Sequence, residues 1–135
     1  TFVPDPVAAD GDCLSLSISP TPVESKDPFL IHKTSRREAY DRAVAEVPLG
    51  VSPLLVNELG HVTESVSANI VYQIDGSLFT PPISDGLLPG VLRGELIDEG
   101  AVSERSLALA DLDRVESWWL INSLRGWRRG QLTHS

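Results

Sequence analysis

The stretch from Asn69 to Thr80, NIVYQIDGSLFT, constrains the fold of this chain more than any other. Asp75-Gly76 separates two apolar runs. Asp-Gly in that setting is among the strongest short hairpin signals, because both central residues of the tight turn need positive φ and these two types tolerate it. The spacing predicts strands at Asn69–Ile74 and Ser77–Thr80, and Pro81-Pro82 stops the second one.

Other segments arrange themselves around this hairpin. Leu54–Asn57 reads as a strand, Glu58-Leu59-Gly60 as a turn, and His61–Glu64 as the way out. A glycine-rich loop, SDGLLPG, opens a helix at roughly Val91–Asp98 that closes at Gly100. Ser103–Leu109 reads as a strand and ADLDRVE as a short helix. SWWLIN is a strand running into NSLRGWRRG.

Upstream, Phe29-Leu30-Ile31 reads as a short buried strand. A helix then starts with Ser35 as N-cap and Glu38 completing the capping box. Ala39, Tyr40, Ala43, Val44 and Val47 recur at helical spacing, and Pro48 with Gly50 ends the pattern. Residues 1–25 are broken by Pro4, Pro6, Pro20 and Pro22. They read as an extended lead-in or linker with one edge strand, Leu14–Ile18. Residues 26–135 then form one domain. Hairpins mixed with helices favour an α+β arrangement over a doubly wound sheet.

Composition removes several function classes. A net charge of −8 argues against a nucleic-acid footprint, which would show a basic face. The apolar runs are far shorter than the ~20 residues of a membrane span, and no secretory leader pattern is visible. Cys13 stands alone, so an internal disulfide is excluded and a cysteine metal site disfavoured; a cytoplasmic setting is the default expectation. His32, His61 and His134 lack ligand spacing, so no metal is expected. The chain has no methionine and begins at Thr1, as a processed or excised piece would.

Four places carry residues suited to chemistry. The chain has two lysines, Lys26 and Lys33, against nine arginines, and Lys33 sits between the Phe29–Ile31 run and the capped helix. A lysine there is a solvated charge, an ion-pair partner or a nucleophile. Glu64 lies among the small residues Thr63, Ser65, Ser67, Ala68 and Asn69, which leave room for a ligand or simply make turns. Gly90 before a helix start leaves backbone N–H groups facing outward, suited to an anion. Val91-Leu92 in place of Lys-Ser excludes a nucleoside-triphosphate loop. The strand exit Asn122–Gly126 offers further N–H groups and the Ser123 hydroxyl.

Four motifs in their order and spacing resemble one family from about residue 28 to 129: HKTSRR…Y, VTESVSANIVYQIDGSLFT, PPISDGLLPGVLRGEL and WLINSLRG. They look like the C-terminal part of the class IV, pyridoxal-phosphate-dependent enzymes. These include branched-chain and D-amino-acid aminotransferases and 4-amino-4-deoxychorismate lyases. The HKTSRR and NSLRGW forms look most like the lyases.

The resemblance implies a mixed α/β pseudo-barrel domain of the D-amino-acid aminotransferase-like fold and pyridoxal 5'-phosphate as cofactor. It implies that Lys33 attaches to the cofactor aldehyde and that Glu64 bonds the pyridine nitrogen. Gly90, Val91 and Leu92, with Ser123 and Leu124, would bind the phosphate. Arg37 matches an arginine of lyase-like members, its role left open. The implied reaction is elimination of pyruvate from 4-amino-4-deoxychorismate to give 4-aminobenzoate, in folate biosynthesis. The alternatives are an aminotransferase for branched-chain or D-amino acids, or a non-catalytic remnant. Family members carry a small N-terminal domain, which residues 1–25 are not expected to provide, and are usually dimers, so a homodimer is expected. Trp118, Trp119 and Trp127 are candidates for the surface such an interface would leave exposed.

Overall fold

The computed structural model describes residues 13–19, 33–48, 50–66 and 68–132, with the side chains of 33–37 and 39 outside that set. The expected strand at Phe29–Ile31 therefore lies outside the described residues.

Among the described residues nine strands, β1 (Leu14–Ile18), β2 (Val51–Leu54), β3 (His61–Val62), β4 (Asn69–Ile74), β5 (Ser77–Thr80), β6 (Ser103–Glu104), β7 (Leu107–Ala108), β8 (Ser117–Asn122) and β9 (Gly126–Leu132), join two α-helices, α1 (Lys33–Ala45) and α2 (Val91–Asp98). Seven strands form one sheet in the order β2-β1-β9-β8-β4-β5-β6, and β3 pairs with β7 separately. The architecture is mixed α/β, as expected.

The hairpin forms as its sequence dictates. Tyr72 faces Phe79 and Ile74 faces Ser77, while Asp75 and Gly76 take φ of 53° and 79°. On its other side β4 pairs antiparallel with β8, placing Tyr72 beside Trp118 and Val71 beside Trp119. Alternation splits these two strands between two cores. Ile70, Tyr72, Ile74, Trp118 and Leu120 face one side with Leu16, Leu54, Val62 and Leu107. Val71, Trp119, Ile121 and Trp127 face the other, covered by Leu96 of α2. The Trp119 and Trp127 rings meet edge-on at 5.9 Å, a preferred aromatic geometry. The three tryptophans are thus core residues, all under 10% exposed, and not the exposed interface contributors expected.

Three further expectations are corrected. β1 is no edge strand: it runs parallel to β2 on one side and β9 on the other, so residues 14–18 belong to the sheet rather than to a lead-in. β9 has no counterpart among the expected elements, since the arginines of WRRG suit a solvated end as well as a strand. Here Arg129 lies over the Trp119 ring at 6.0 Å, and Gly130 lies so close to Leu16 that a Cβ would sit 2.6 Å from its Cδ1. The guanidinium itself therefore rests on an aromatic face, a cation–π contact. The strand expected at Ser103–Leu109 divides, since β6 joins β5 in the large sheet and β7 joins β3 in the small one.

Boundaries moved elsewhere. The strand placed at Leu54–Asn57 is Val51–Leu54, with Pro53 tolerated on the sheet's edge. α1 spans Lys33–Ala45, so Ser35 lies within the helix instead of capping it. α2 matches Val91–Asp98, and ADLDRVE is a 3-10 helix at Leu109–Arg114. Among the described residues no helix is long and apolar enough to cross a membrane.

Candidate active site

The end of the sheet where β4 begins and β8 ends gathers most of the singled-out residues, since Asn69 pairs with Ile121 there. The β3–β4 connection enters from one side. Its backbone is held by Leu55 N–H donating to the Glu64 carbonyl at 2.8 Å and by Ser65 Oγ donating to Pro53 O at 2.7 Å. Thr63 and Ser65 therefore serve to fix the main chain, and the glutamate is buried.

Glu64 is 2% exposed. Its Oε2 accepts the Tyr40 hydroxyl at 2.9 Å and its Oε1 accepts the Leu88 N–H at 3.2 Å. Burial alone drives a carboxyl toward its neutral form, whereas donors to both oxygens favour the carboxylate.

Leu88 leads into α2, whose N-cap is Gly90, with no side chain capping the helix. Asn69 Nδ2 donates to Leu88 O at 2.8 Å, and a Cβ on Gly90 would lie 2.3 Å from Asn69 Oδ1. Gly90 has φ of −62°, so glycine is required by close approach and not by backbone conformation. The result is a helix start that its N-cap residue does not cap with a side chain, the natural seat of an anion.

A cavity of about 240 Å³ opens here, lined by Tyr40, Glu64, Asn69, Gly90, Val91, Leu92, Arg93, Asn122 and Ser123, among others. Drug-sized ligands occupy roughly 300–1,000 Å³, so this one suits a single-ring molecule. Five of the seven predicted site residues, Glu64, Gly90, Val91, Leu92 and Ser123, line it together. Leu124 is not among the lining residues and its side chain is 89% exposed. The side chains of Lys33 and Arg37 lie outside the described residues, and only their backbone positions in the first turns of α1 are given.

Sequence reasoning gave Tyr40 no role beyond an apolar helix face and a place in the HKTSRR…Y motif, and it missed the bridging role of Asn69. It also passed over Arg93, which is buried and donates to Pro81 O at 2.9 Å and Glu104 Oε2 at 2.6 Å. A larger hollow of about 510 Å³ is lined by Cys13, Asp113, Glu116, Ser117, Arg129 and Gln131, among others, and by none of the predicted site residues. Among the described residues no cluster of His, Cys, Asp or Glu could hold a metal ion.

The profile of the class IV amino-transferase family matches residues 4–131. The chain belongs to that family. Its members depend on pyridoxal phosphate. A Schizosaccharomyces pombe protein proposed as an aminodeoxychorismate lyase is 32% identical over 126 residues, 88% of this chain and 54% of that protein. The Escherichia coli branched-chain-amino-acid aminotransferase is 33% identical over 93 residues, 62% of this chain and 27% of the enzyme. A solved Mesorhizobium loti structure, proposed as an amino-acid aminotransferase, superposes with a TM-score of 0.84 at 39% identity, over 96% of this chain and 63% of that one. The chain thus spans about half the length of the first of these relatives, and less than two thirds of each.

The donor set fits the family's cofactor. A buried acid and a bare helix N-terminus line one small cavity, matching a ring nitrogen and a phosphate in chemistry.

Proposed function

We propose that this chain is the cofactor-binding domain of a pyridoxal-phosphate-dependent lyase that eliminates pyruvate from 4-amino-4-deoxychorismate, leaving 4-aminobenzoate. The carrying observation is the buried Glu64 carboxylate, held by Tyr40 and Leu88, in the same cavity as the Gly90 helix start. The HKTSRR and NSLRGW forms and the Schizosaccharomyces pombe relative support the lyase side.

When bound, pyridoxal phosphate supplies an electron sink for a carbanion at the substrate Cα. The chain's own residues do the rest. Glu64 holds a negative charge against the ring nitrogen and so favours its protonated form. The backbone N–H groups of Gly90, Val91 and Leu92, with Ser123 and the Leu124 main chain, take the phosphate. Lys33 supplies the amine. An amine can bond an aldehyde and can hold and return a proton at Nζ, which arginine cannot do near neutral pH. Exposed Leu88 and Val91 at the cavity, and Leu124 beside it, leave an apolar rim for the small domain of this family to cover. In this reading the working unit is a cytoplasmic homodimer acting on a small amino substrate.

A second reading, an aminotransferase for branched-chain or D-amino acids, is favoured by the 39% identity to the Mesorhizobium loti protein. The same residues serve both. The test supplies the chain, with cofactor, first with 4-amino-4-deoxychorismate and then with an amino acid plus 2-oxoglutarate. Pyruvate released with no keto-acid acceptor supports the lyase; amino transfer to the acceptor replaces it with the second reading. Cofactor binding without either activity favours a domain that is inactive alone.

A further inference from the structure

We infer that Tyr40 is a positioning residue that fixes the charge and the aim of Glu64; this rests on the reading of the cavity as a pyridoxal phosphate site. Tyr40 and Glu64 are 24 residues apart in sequence, yet the hydroxyl lies 2.9 Å from Oε2. Nothing local forces that contact. Both residues line the cavity, so the bond forms at its wall and not in the apolar core.

The need for the hydroxyl follows from burial. At 2% exposure, a glutamate with one donor fewer shifts toward its neutral form. A neutral carboxyl no longer holds a protonated ring nitrogen. Leu88 N–H serves Oε1 and Tyr40 O–H serves Oε2, and the two approach from different elements. Together they leave the carboxylate little freedom to rotate. Among the described residues, Arg93 from α2 is the one formal charge lining the cavity besides Glu64, and Lys33 lies at the start of α1.

α1 adds a second consequence. Tyr40 follows Lys33 by seven positions in one continuous helix. At about 100° per residue, seven steps return the backbone to within roughly 20° of the same side. One helix therefore carries the amine and, two turns later, the group that sets the acid. A shift of α1 would move both together.

The test uses the full chain with Tyr40→Phe and two readouts. First, without cofactor, the carboxyl carbon of Glu64 is followed by NMR against pH. We expect its midpoint to rise in Tyr40→Phe and to fall when 3-fluorotyrosine, a stronger donor, is placed at position 40. An unchanged midpoint in both variants overturns the inference.

Second, affinity is measured for pyridoxal phosphate and for its deaza analogue, in which the ring nitrogen is a C–H. Tyr40→Phe should weaken the first by about tenfold and the second by less than about twofold. In a Glu64→Gln background that difference should vanish. Equal losses for both ligands mean that Tyr40 merely packs, and overturn the inference. If the unaltered chain binds neither ligand, the cofactor reading fails, while the carboxyl titration still decides whether Tyr40 governs Glu64.

Discussion

Replacing Gly90 with alanine tests how tightly the cavity wall is built. The added Cβ would lie 2.3 Å from Asn69 Oδ1 and 3.5 Å from its Cγ. The first distance is far inside van der Waals contact, so one group must move. Asn69 is buried at the start of β4, and its Nδ2 donates to Leu88 O at 2.8 Å. Swinging the carboxamide away loses that bond, about 0.5–1.5 kcal/mol. Shifting the backbone instead is overpacking, about 1–3 kcal/mol. Alanine also restricts the unfolded chain, which returns about 0.4–1 kcal/mol.

Either route, less what the unfolded chain returns, gives a net loss of up to about 2.5 kcal/mol, or a fall in Tm of up to roughly 10 °C. Urea unfolding followed by tryptophan fluorescence reads it, since Trp118, Trp119 and Trp127 are all in the core. Asn69→Ala removes the obstacle. Adding Gly90→Ala to that variant should cost at least about 1 kcal/mol less than in the parent. Equal costs for Gly90→Ala in the parent and in the Asn69→Ala variant would refute the reasoning.

Three other outcomes follow from the same coordinates. Burial raises the Tyr72 hydroxyl well above its usual value near 10; the folded state then keeps a proton the unfolded chain gives up, so stability is full below about pH 10 and falls above it by up to ~1.4 kcal/mol per pH unit, a decline that Tyr72→Phe should flatten in pH-dependent unfolding. Trp127→Ala opens the second core beside Trp119 and should cost about 3–5 kcal/mol by denaturant titration. Glu64→Gln keeps the shape but removes the charge, and a fluorescence titration should show at least about tenfold weaker pyridoxal phosphate binding.

What was legible in the sequence divides along physical lines. The hairpin and α2 were read to the residue, because Asp75-Gly76, Pro81-Pro82 and Gly90…Gly100 punctuate the chain locally. β9 was hidden because its signal is not local. Arg128 and Arg129 look solvated until Trp119 and Leu16 are known to lie beside them. β1 looked peripheral because proline and aspartate crowd its flanks, yet both of its neighbours come from distant segments. Lys33 and Glu64 could be singled out by type and setting. Tyr40 could not, because its place at helical spacing is explained equally well by packing, and only the fold brings its hydroxyl to Glu64. The one available signal was that tyrosine, unlike phenylalanine, brings a donor that burial obliges it to use.

The central claim is that Lys33, Glu64 and the Gly90 helix start serve one pyridoxal phosphate. The most direct measurement adds the cofactor to the full chain, reduces with borohydride and maps the labelled peptide by mass spectrometry. With only Lys26 and Lys33 in the chain, the choice is sharp. The account predicts a single pyridoxyl group on Lys33, with Lys33→Ala unlabelled and without a visible band. A label on Lys26 or the terminal amine, or none on a folded chain, would contradict it.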